Sequence, residues 1–329
     1  MGTPAIAVPS LRMLADSSHD VIAVITQPDQ KSGRGMSVKY SPVKETALEY
    51  GIPCFQPERI GEPEFMDLLE GFGAEVFAVA AYAQKIPDRI LSMPRFGCIN
   101  MHPSLLPKYR GSGPLRGPIL NGDKESGVTI MQLTSEWDAG DILMQRSFPL
   151  DPKETSETLQ EKCGTLGAEL MLRTVNGLEA GTVVAVPQDA SQATYLKQIK
   201  KEEGRIDFCH SAVQIERQIR ACIPWPSAFT TWKGKTFKIW EAQATDLLPD
   251  APQIHDEARE SADGGTSPDA AQSIAPGTVV YADKKGFFIQ TGKGYLKPVT
   301  VQLEGKKRMS VPDFLKGQKV EPGVTFGSN

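Results

Sequence analysis

The sequence lacks three features that would assign it to a class at once: a long apolar run, paired cysteines and clustered histidines. No run approaches the ~18 apolar residues of a membrane-spanning helix, and no basic start with an apolar core resembles a signal peptide. The five cysteines show no CxxC spacing, which argues against disulfide frameworks and zinc sites and favours a reducing cytoplasm. Because the four histidines are scattered, we predict no metal.

A large net charge is also missing, since the formal value is only −4, but the charges are unevenly distributed. Residues 197–245 hold 9 Lys and Arg against 5 Asp and Glu, and residues 276–329 hold 9 against 4. Residues 1–196 hold 17 Lys and Arg against 24 Asp and Glu, and residues 246–275 hold 1 Lys or Arg against 7 Asp and Glu. The C-terminal third is therefore basic once the acidic stretch is set aside, which is typical of a surface that meets phosphate groups. An ordinary solvated surface is the alternative that charge alone leaves open.

Apolar runs alternate with helix signals along the first half of the chain. The runs predict buried strands at residues 21–26, 76–80, 98–101 and 128–133. Caps, prolines and apolar spacing predict helices at residues 7–15, 42–50, 62–72, 114–120 and 155–178. This alternation predicts an α/β fold with a doubly wound, mostly parallel sheet that helices cover on both faces.

The pattern changes beyond residue 205. One helix is predicted at residues 212–222, and short strands separated by glycines follow at residues 230–232, 236–240, 278–281, 286–290 and 295–301. Such strands favour a small OB-like β-barrel. We therefore predict a first domain at residues 1–185, a linker at 186–205 and a second domain at 206–329. Residues 246–275 have few large apolar side chains, and we predict a disordered acidic insert there.

The first residues are unusual for a doubly wound sheet. Met1 to Pro4 read as the turn after a strand, and a helix signal follows at once. A sheet of this kind normally opens with a strand. Our hypothesis is that translation begins several apolar residues upstream of Met1; an in-frame stop codon immediately before it would refute this.

The most informative motif places an amide and an imidazole on one strand. Side chains repeat every two residues along a strand, so Asn100 and His102 point the same way, at the carboxyl end where such sheets bind ligands. An amide and a protonated imidazole can stabilise the oxyanion of acyl transfer between nitrogens. Asp138 would orient His102, raise its pKa and accept a proton. Ser104 has no GxSxG setting and is interpreted as loop structure. The alternative is a buried histidine with a purely structural role. The residues alone do not identify which acyl group is transferred.

The chain resembles the formyltransferases that use 10-formyltetrahydrofolate. The resemblance lies in the N-x-H-x-SLLP motif and in the later D-x-G-D loop. Several further segments are similar to the members that act on methionyl-tRNA: QPDQKSGRG, AAYAQKIP, KEEGRIDF and IRACIPWPSAF. The resemblance implies transfer of a formyl group from 10-formyltetrahydrofolate to the α-amino group of initiator methionyl-tRNA. It also implies that Asn100, His102 and Asp138 form the catalytic trio.

The resemblance further implies two binding regions. Residues expected to border the folate are Ser104, Leu105, Leu106, Pro107, Ala83, Ile86 and Pro87. Those expected to contact the tRNA are Arg34, Lys31 and Lys39 in the loop at residues 27–41, and Lys200, Lys201, Lys306, Lys307 and Arg308. We expect a cytoplasmic monomer with no membrane partner.

Three departures from the family pattern and several alternatives stay open. Arg116 stands where members usually carry an amide side chain, the first strand is missing before the turn at Met1 to Pro4, and the acidic insert is atypical. A related enzyme could formylate a small amine, such as glycinamide ribonucleotide or an amino sugar, or release formate. A nicotinamide oxidoreductase is disfavoured because GxGxxG is missing near the start. An RNA-binding protein without activity is disfavoured by the intact trio.

Overall fold

The computed structural model describes residues 1–32, 37–249 and 274–327. The chain divides into two compact units, Met1–Pro118 with Asp123–Gln198 and Ile119–Gly122 with Ile199–Asn329. The domain limits predicted at residues 185 and 206 stay a prediction. Residues 250–273 of the predicted insert lie outside the described residues.

Among the described residues of 1–198, the structure has ten strands and six α-helices. The strands are β1 (Val24–Ile25), β2 (Gln30–Ser32), β3 (Ser37–Lys39), β4 (Cys54–Phe55), β5 (Phe77–Val79), β6 (Cys98–His102), β7 (Arg110–Gly111), β8 (Glu125–Gln132), β9 (Ile142–Pro149) and β10 (Tyr195–Leu196). The helices are α1 (Val8–Ala15), α2 (Pro42–Glu49), α3 (Pro63–Gly71), α4 (Asp88–Leu91), α5 (Arg116–Asn121) and α6 (Ser156–Glu179).

The caps that the sequence provides fix where the helices begin. The Ser41 hydroxyl accepts from the backbone N–H of Lys44, and Pro42 takes the first helical position of α2. Thr155 and Thr158 form a reciprocal capping box at the start of α6. The predicted helices at residues 42–50 and 155–178 are thereby confirmed to within a residue or two.

The main sheet of the first unit has the order β5-β6-β8-β9. β5 and β6 are parallel, with Phe77 opposite Cys98, whereas β8 is antiparallel to both β6 and β9. The α/β class is confirmed, but this sheet is mixed because β8 and β9 form a hairpin. Hairpin strands can only pair antiparallel.

Two parallel strands, β1 and β4, form a separate pair in this unit. Between β1 and β5 lie Met1 and Gly2, since Gly2 N–H donates to Ile25 O (3.0 Å) and Ala80 N–H donates to Met1 O (2.9 Å). β1 is two residues long where the sequence predicts six. The hypothesis of an upstream start stays a prediction.

The described residues from 199 onward form two α-helices and one sheet. These elements are α7 (Ala212–Ala221), β11 (Ala228–Trp232), β12 (Lys235–Thr245), β13 (Val279–Ala282), β14 (Phe287–Gln290), β15 (Tyr295–Leu303), β16 (Met309–Ser310) and α8 (Val311–Gly317). The strand order is β11-β12-β15-β14-β13, and β16 pairs with β15. Its core contains Trp232, whose ring stacks on Phe326 at 6.0 Å between centroids.

The predicted barrel is not closed by strand pairing within the described residues, since no ladder joins the edge strands β11 and β13. The C-terminal segment lies between them instead. Val279 N–H donates to Val324 O (2.7 Å) on the β13 side, and Gly327 N–H donates to Thr231 O (2.9 Å) on the β11 side. A β domain is thus confirmed, and irregular backbone takes the place of a closing ladder.

In the part of the chain that the structure describes, we find no helix whose length and apolar character would allow it to span a membrane.

Candidate active site

The candidate site begins at the carboxyl end of β6, where Asn100 and His102 follow one another on one face. β6 is held on both sides, by β5 at Asn100 and by β8 at both residues. Among the described residues, the Asn100 amide makes no side-chain hydrogen bond, and the residue is only partly buried. Its N–H groups are therefore available to a ligand's oxygen.

His102 is buried, and its ring is oriented by two groups. Nε2 lies 2.9 Å from Tyr109 O, and because a carbonyl can only accept, the hydrogen is assigned to Nε2. Nδ1 lies 3.7 Å from Asp138 Oδ1. In the neutral ring, Nδ1 is thus the nitrogen that can take up a proton.

Asp138 reaches His102 from an unexpected direction. β8 ends at Gln132, opposite Ile99, which is three residues and about 10 Å from His102 along β6. The connection from β8 to β9 must therefore fold back to bring the carboxylate to the imidazole. Asp138 adopts a left-handed backbone (φ 52°), and its Oδ2 accepts from the N–H of Gly111 at 2.7 Å.

The electrostatics of His102 differ from the sequence-based expectation. Burial lowers the pKa of His102 below its usual value, and this outweighs Asp138 and the Tyr109 carbonyl, which both raise it. The predicted effect of Asp138, which raises the pKa, is confirmed, but burial could not be read from the motif and has the larger effect. The imidazole is accordingly neutral at neutral pH.

Gln188 holds this arrangement together, and sequence analysis did not identify it. Its Nε2 donates to Asp138 O (2.9 Å) and Gly140 O (2.7 Å). Its Oε1 accepts from Arg110 Nη2 (2.7 Å) and Nε (3.1 Å), and Arg110 is buried next to Tyr109. One amide therefore joins β7 to the segment that carries Asp138. A lone glutamine outside any motif gives no sequence signal for this role.

The Ser104–Pro107 loop is fastened by side chains of β8 and β9. Ser104 is buried and its hydroxyl donates to Lys108 O (2.7 Å), which agrees with its interpretation as loop structure. Thr129 Oγ1 donates to Ser104 O (2.7 Å) and accepts from Leu106 N–H (3.2 Å). Gln145 donates to Leu106 O (3.0 Å) and to Thr129 Oγ1 (2.7 Å). The polar residue at 129 inside an apolar run was the signal that could have identified this anchor.

Residues 83–87 leave the sheet at the same edge as the Ser104–Pro107 loop, because β5 and β6 are parallel neighbours. Ala83 has a left-handed backbone (φ 67°), and Ile86 is buried while Pro87 is partly exposed. In the Ser104–Pro107 loop, Leu106 is buried and Leu105 partly so. The topology thus places both predicted folate-bordering segments at one edge.

The predicted tRNA loop is a hairpin of β2 and β3, in which Gln30 is opposite Lys39 and Lys31 is opposite Val38. Its base is fixed, since Asp29 accepts from Lys44 Nζ (2.5 Å) and from Gln56 (2.9 Å). These hydrogen bonds lower the pKa of Asp29. Lys39 is exposed, and Arg34 lies outside the described residues.

The predicted basic residues of the second unit are all exposed: Lys200, Lys201, Lys306, Lys307 and Arg308. A basin of about 610 Å³ brings Lys201 together with Lys238 of β12 and with Gly305, which adjoins Lys306. The Arg308 guanidinium lies 3.5 Å from the centre of the Trp240 ring. Lys201 and Lys238 thus line one basin together with the carboxylates Glu202 and Glu304, and the Arg308–Trp240 contact lies outside that lining.

Arg116, which departs from the family pattern, donates from Nη2 to Lys197 O at 3.1 Å. Its guanidinium thus fastens the start of α5 to the segment before residue 199. Within the described ranges, no three His, Cys, Asp or Glu side chains converge as they would around a metal ion.

Two family models match the sequence of this chain. Residues 1–175 match the family described as formyl transferase, and residues 198–319 match the formyl transferase C-terminal domain. The chain belongs to the formyl transferase family.

Its relatives carry a more particular name. A methionyl-tRNA formyltransferase of Lachnospira eligens is 43% identical over 327 residues, which cover 99% of this chain and 98% of the relative. Methionyl-tRNA formyltransferases of Agathobacter rectalis and Methylobacillus flagellatus are each 41% identical, with 99% of this chain and 98% of the relative covered.

Two solved structures share the fold. One is the sugar 3N-formyl transferase WlaRD, with a TM-score of 0.61 and 21% identity over 93% of this chain and 97% of that one. The other is an N-formyltransferase from Helicobacter canadensis, with a TM-score of 0.61 and 19% identity over 90% of this chain and 96% of that one. At these identities the likeness concerns the fold alone.

Proposed function

We propose that this enzyme transfers the formyl group of 10-formyltetrahydrofolate to the α-amino group of methionine on initiator methionyl-tRNA. One observation carries the proposal. Asp138 Oδ1 lies 3.7 Å from Nδ1 of His102, and His102 lies on the same strand as Asn100. The identity of 41–43% to methionyl-tRNA formyltransferases over nearly whole chains supports the choice of acceptor.

Asn100 is proposed to stabilise the transition state. 10-Formyltetrahydrofolate supplies a formyl carbon that an amine can attack, and negative charge then develops on the formyl oxygen. The Asn100 amide, which has no side-chain hydrogen bond among the described residues, donates to that oxygen. A donor held on a strand between two neighbours needs little reorganisation as the charge develops.

His102 and Asp138 are proposed to handle the proton that the attacking amine loses. Nε2 already directs its hydrogen at Tyr109 O, so Nδ1 accepts the proton. The imidazolium that results is stabilised by Asp138 Oδ1 at 3.7 Å. When the tetrahedral centre collapses, the bond between the formyl carbon and the folate nitrogen breaks, and that nitrogen takes the proton back from His102 as tetrahydrofolate leaves. The low pKa that burial gives His102 keeps the ring neutral, and therefore able to accept, before the reaction.

The residues at the sheet edge fit the formyl donor. Leu105 and Ile86 provide apolar side chains at the sheet edge where β6 ends, and Thr129 fastens the Ser104–Pro107 loop by a hydrogen bond to Ser104 O. A rigid loop that presents backbone groups next to an apolar wall suits a planar heterocycle with several donors and acceptors. We propose that Ser104, Leu105, Leu106, Pro107, Ala83, Ile86 and Pro87 border it.

The tRNA is proposed to contact basic groups of both units. In the second unit these are Lys201, which lines the basin, and the exposed Lys200, Lys306, Lys307 and Arg308. In the first unit they belong to the β2–β3 hairpin, with Lys31 and Lys39, and to Arg34. Lys44 holds Asp29 at the base of this hairpin.

The enzyme is further proposed to act as a cytoplasmic monomer. Each unit buries a hydrophobic cluster of its own. All five cysteines are free thiols, which suits a reducing compartment. Light scattering across a tenfold range of protein concentration tests the monomer, which predicts a constant mass.

The acceptor is tested by incubating the protein with 10-formyltetrahydrofolate and one acceptor at a time. We expect formylmethionine on initiator methionyl-tRNA, identified by mass spectrometry, and no product with glycinamide ribonucleotide or a nucleotide-linked amino sugar. Product with a small amine alone, or formate released without any acceptor, would overturn the proposal. Uncharged tRNA is the control for carrier-dependent background.

A further inference from the structure

Three consecutive residues contact the proposed catalytic pair from one side. Tyr109 O lies 2.9 Å from Nε2 of His102, and Gly111 N–H donates to Asp138 Oδ2 at 2.7 Å. Arg110 lies between these two contacts in the chain and is buried. The tripeptide therefore fixes the imidazole and the carboxylate relative to one another, and its central side chain has no part in the steps described so far.

The tripeptide is held firmly against β10. Tyr109 and Gly111 have left-handed backbones (φ 63° and 91°), and a Cβ on Gly111 would lie only 2.5 Å from Leu196 O. Arg110 N–H donates to Thr194 O at 2.8 Å. The Arg110 side chain thus starts from a well-defined backbone position.

The Arg110 guanidinium is buried among neutral groups. Nη2 and Nε donate to Gln188 Oε1 (2.7 and 3.1 Å), and Nη1 donates to the Tyr195 hydroxyl (3.0 Å). In the part of the chain that the structure describes, no carboxylate lies within ion-pair distance of it. A buried charge without an opposite charge is costly to stability, so its place beside the catalytic pair requires an explanation.

One effect of Arg110 passes through Gln188. The Gln188 amide donates to Asp138 O and Gly140 O, which leaves its Oε1 to face Arg110. Two guanidinium N–H groups converge on that oxygen. In the opposite amide orientation the NH2 group would meet the guanidinium, and neither group can accept a hydrogen bond. Arg110 thereby sets the orientation in which Gln188 holds the segment of Asp138.

The other effect of Arg110 is electrostatic. Burial contributes most to the low pKa of His102, and the positive charge of Arg110 lowers that pKa further. Asp138, from the β8–β9 connection, and the Tyr109 carbonyl raise it. Arg110 therefore opposes the carboxylate and favours the neutral ring.

We propose that Arg110 is a positioning residue for formyl transfer, an inference that rests on the function proposed above. Its guanidinium orients Gln188, and through it the segment of Asp138, while its positive charge keeps His102 able to accept the proton of the attacking amine. That proton moves to Nδ1 of His102, and Arg110 itself stays protonated throughout.

The electrostatic effect is tested without any substrate, by following the histidine C–H resonances of the full chain against pH by NMR. His102→Gln identifies the resonance of His102. Arg110→Met should raise the titration midpoint of His102, whereas Arg110→Lys keeps the charge and should leave it near the wild-type midpoint. Arg146→Met, at an exposed arginine of β9, is the control and should leave it unchanged. A midpoint that is the same in Arg110→Met and in the wild type would overturn the electrostatic role.

The orienting effect is tested by single-turnover formyl transfer at a pH where His102 is neutral in every form. Arg110→Lys loses the planar fork and should react at least ~10-fold more slowly, with unchanged Kd for tRNA. In a Gln188→Leu background the same substitution should cost less than ~3-fold, because the amide through which Arg110 acts is already missing. Equal losses in both backgrounds would contradict the orienting role.

This inference and the proposed function fail in different ways. If methionyl-tRNA is not formylated, the His102 titration still decides the electrostatic role, and the two backgrounds can be compared with whichever amine reacts. An arginine with a purely structural role would lower the free energy of unfolding in urea and leave the titration midpoint unchanged. Should Arg110→Met fail to fold, Arg110→Gln removes the charge, keeps an N–H donor and takes its place in the titration.

Discussion

Thr129 offers the sharpest test of how the Ser104–Pro107 loop is held. Its hydroxyl donates to Ser104 O (2.7 Å) and accepts from Leu106 N–H (3.2 Å), and Thr129 is fully buried. Thr129→Val keeps the branched shape and leaves both backbone groups unpaired. At about 1–3 kcal/mol for each unpaired buried group, the free energy of unfolding should fall by about 4 kcal/mol.

Urea unfolding of the full chain measures this loss, and a fall in Tm of about 10 °C should accompany it. Thr129→Ser is the matched control: it keeps the hydroxyl, removes one methyl group and should cost about 1 kcal/mol. The valine variant should also raise the KM for the formyl donor, because the loop is no longer fixed. A valine variant as stable as the serine variant would refute the anchoring role.

Three further predictions concern the active site and the basic surface. Gln188→Leu should lower kcat at least ~10-fold with little change in the KM for tRNA, because Asp138 loses the amide that holds its segment; unchanged kcat would contradict this. Because the pKa of His102 is lowered in the folded chain, the unfolded chain binds a proton first, and stability should fall as pH drops through 6.5. His102→Gln should flatten that dependence in urea titrations at pH 7.5 and 5.5, and an unchanged slope would refute the assignment. Arg308→Ala should weaken tRNA binding and reduce its salt slope by about 1, whereas the exposed control Lys316→Ala should leave both unchanged.

The sequence predicts the pair at Asn100 and His102 because strand periodicity alone sets both side chains on one face. It also predicts the carboxylate but not its route, since Asp138 reaches His102 only through a connection that folds back with a left-handed residue. The role of Gln188 could not be predicted from the sequence, because its four hydrogen bonds depend on tertiary structure. The effect of Asp138 on the His102 pKa was predictable, but the larger, opposite effect of burial was not, because burial is a property of the fold.

The fold shows a similar division between local and long-range information. Caps such as Ser41 and Thr155 fix helix starts from adjacent residues, so those helices could be predicted. The gap between the edge strands of the second unit is bridged by the segment ending at Gly327, through hydrogen bonds to residues about 45 and 95 positions away. No local pattern predicts that contact.

If Asn100 stabilises the formyl oxygen during transfer to methionyl-tRNA, its removal should slow the chemical step. We would measure the single-turnover rate of formylmethionyl-tRNA formation by the wild-type enzyme and by Asn100→Ala, both saturated with 10-formyltetrahydrofolate. The variant should bind tRNA with unchanged Kd and react about 10²–10³-fold more slowly. A variant that reacts within a few-fold of the wild-type rate would contradict it.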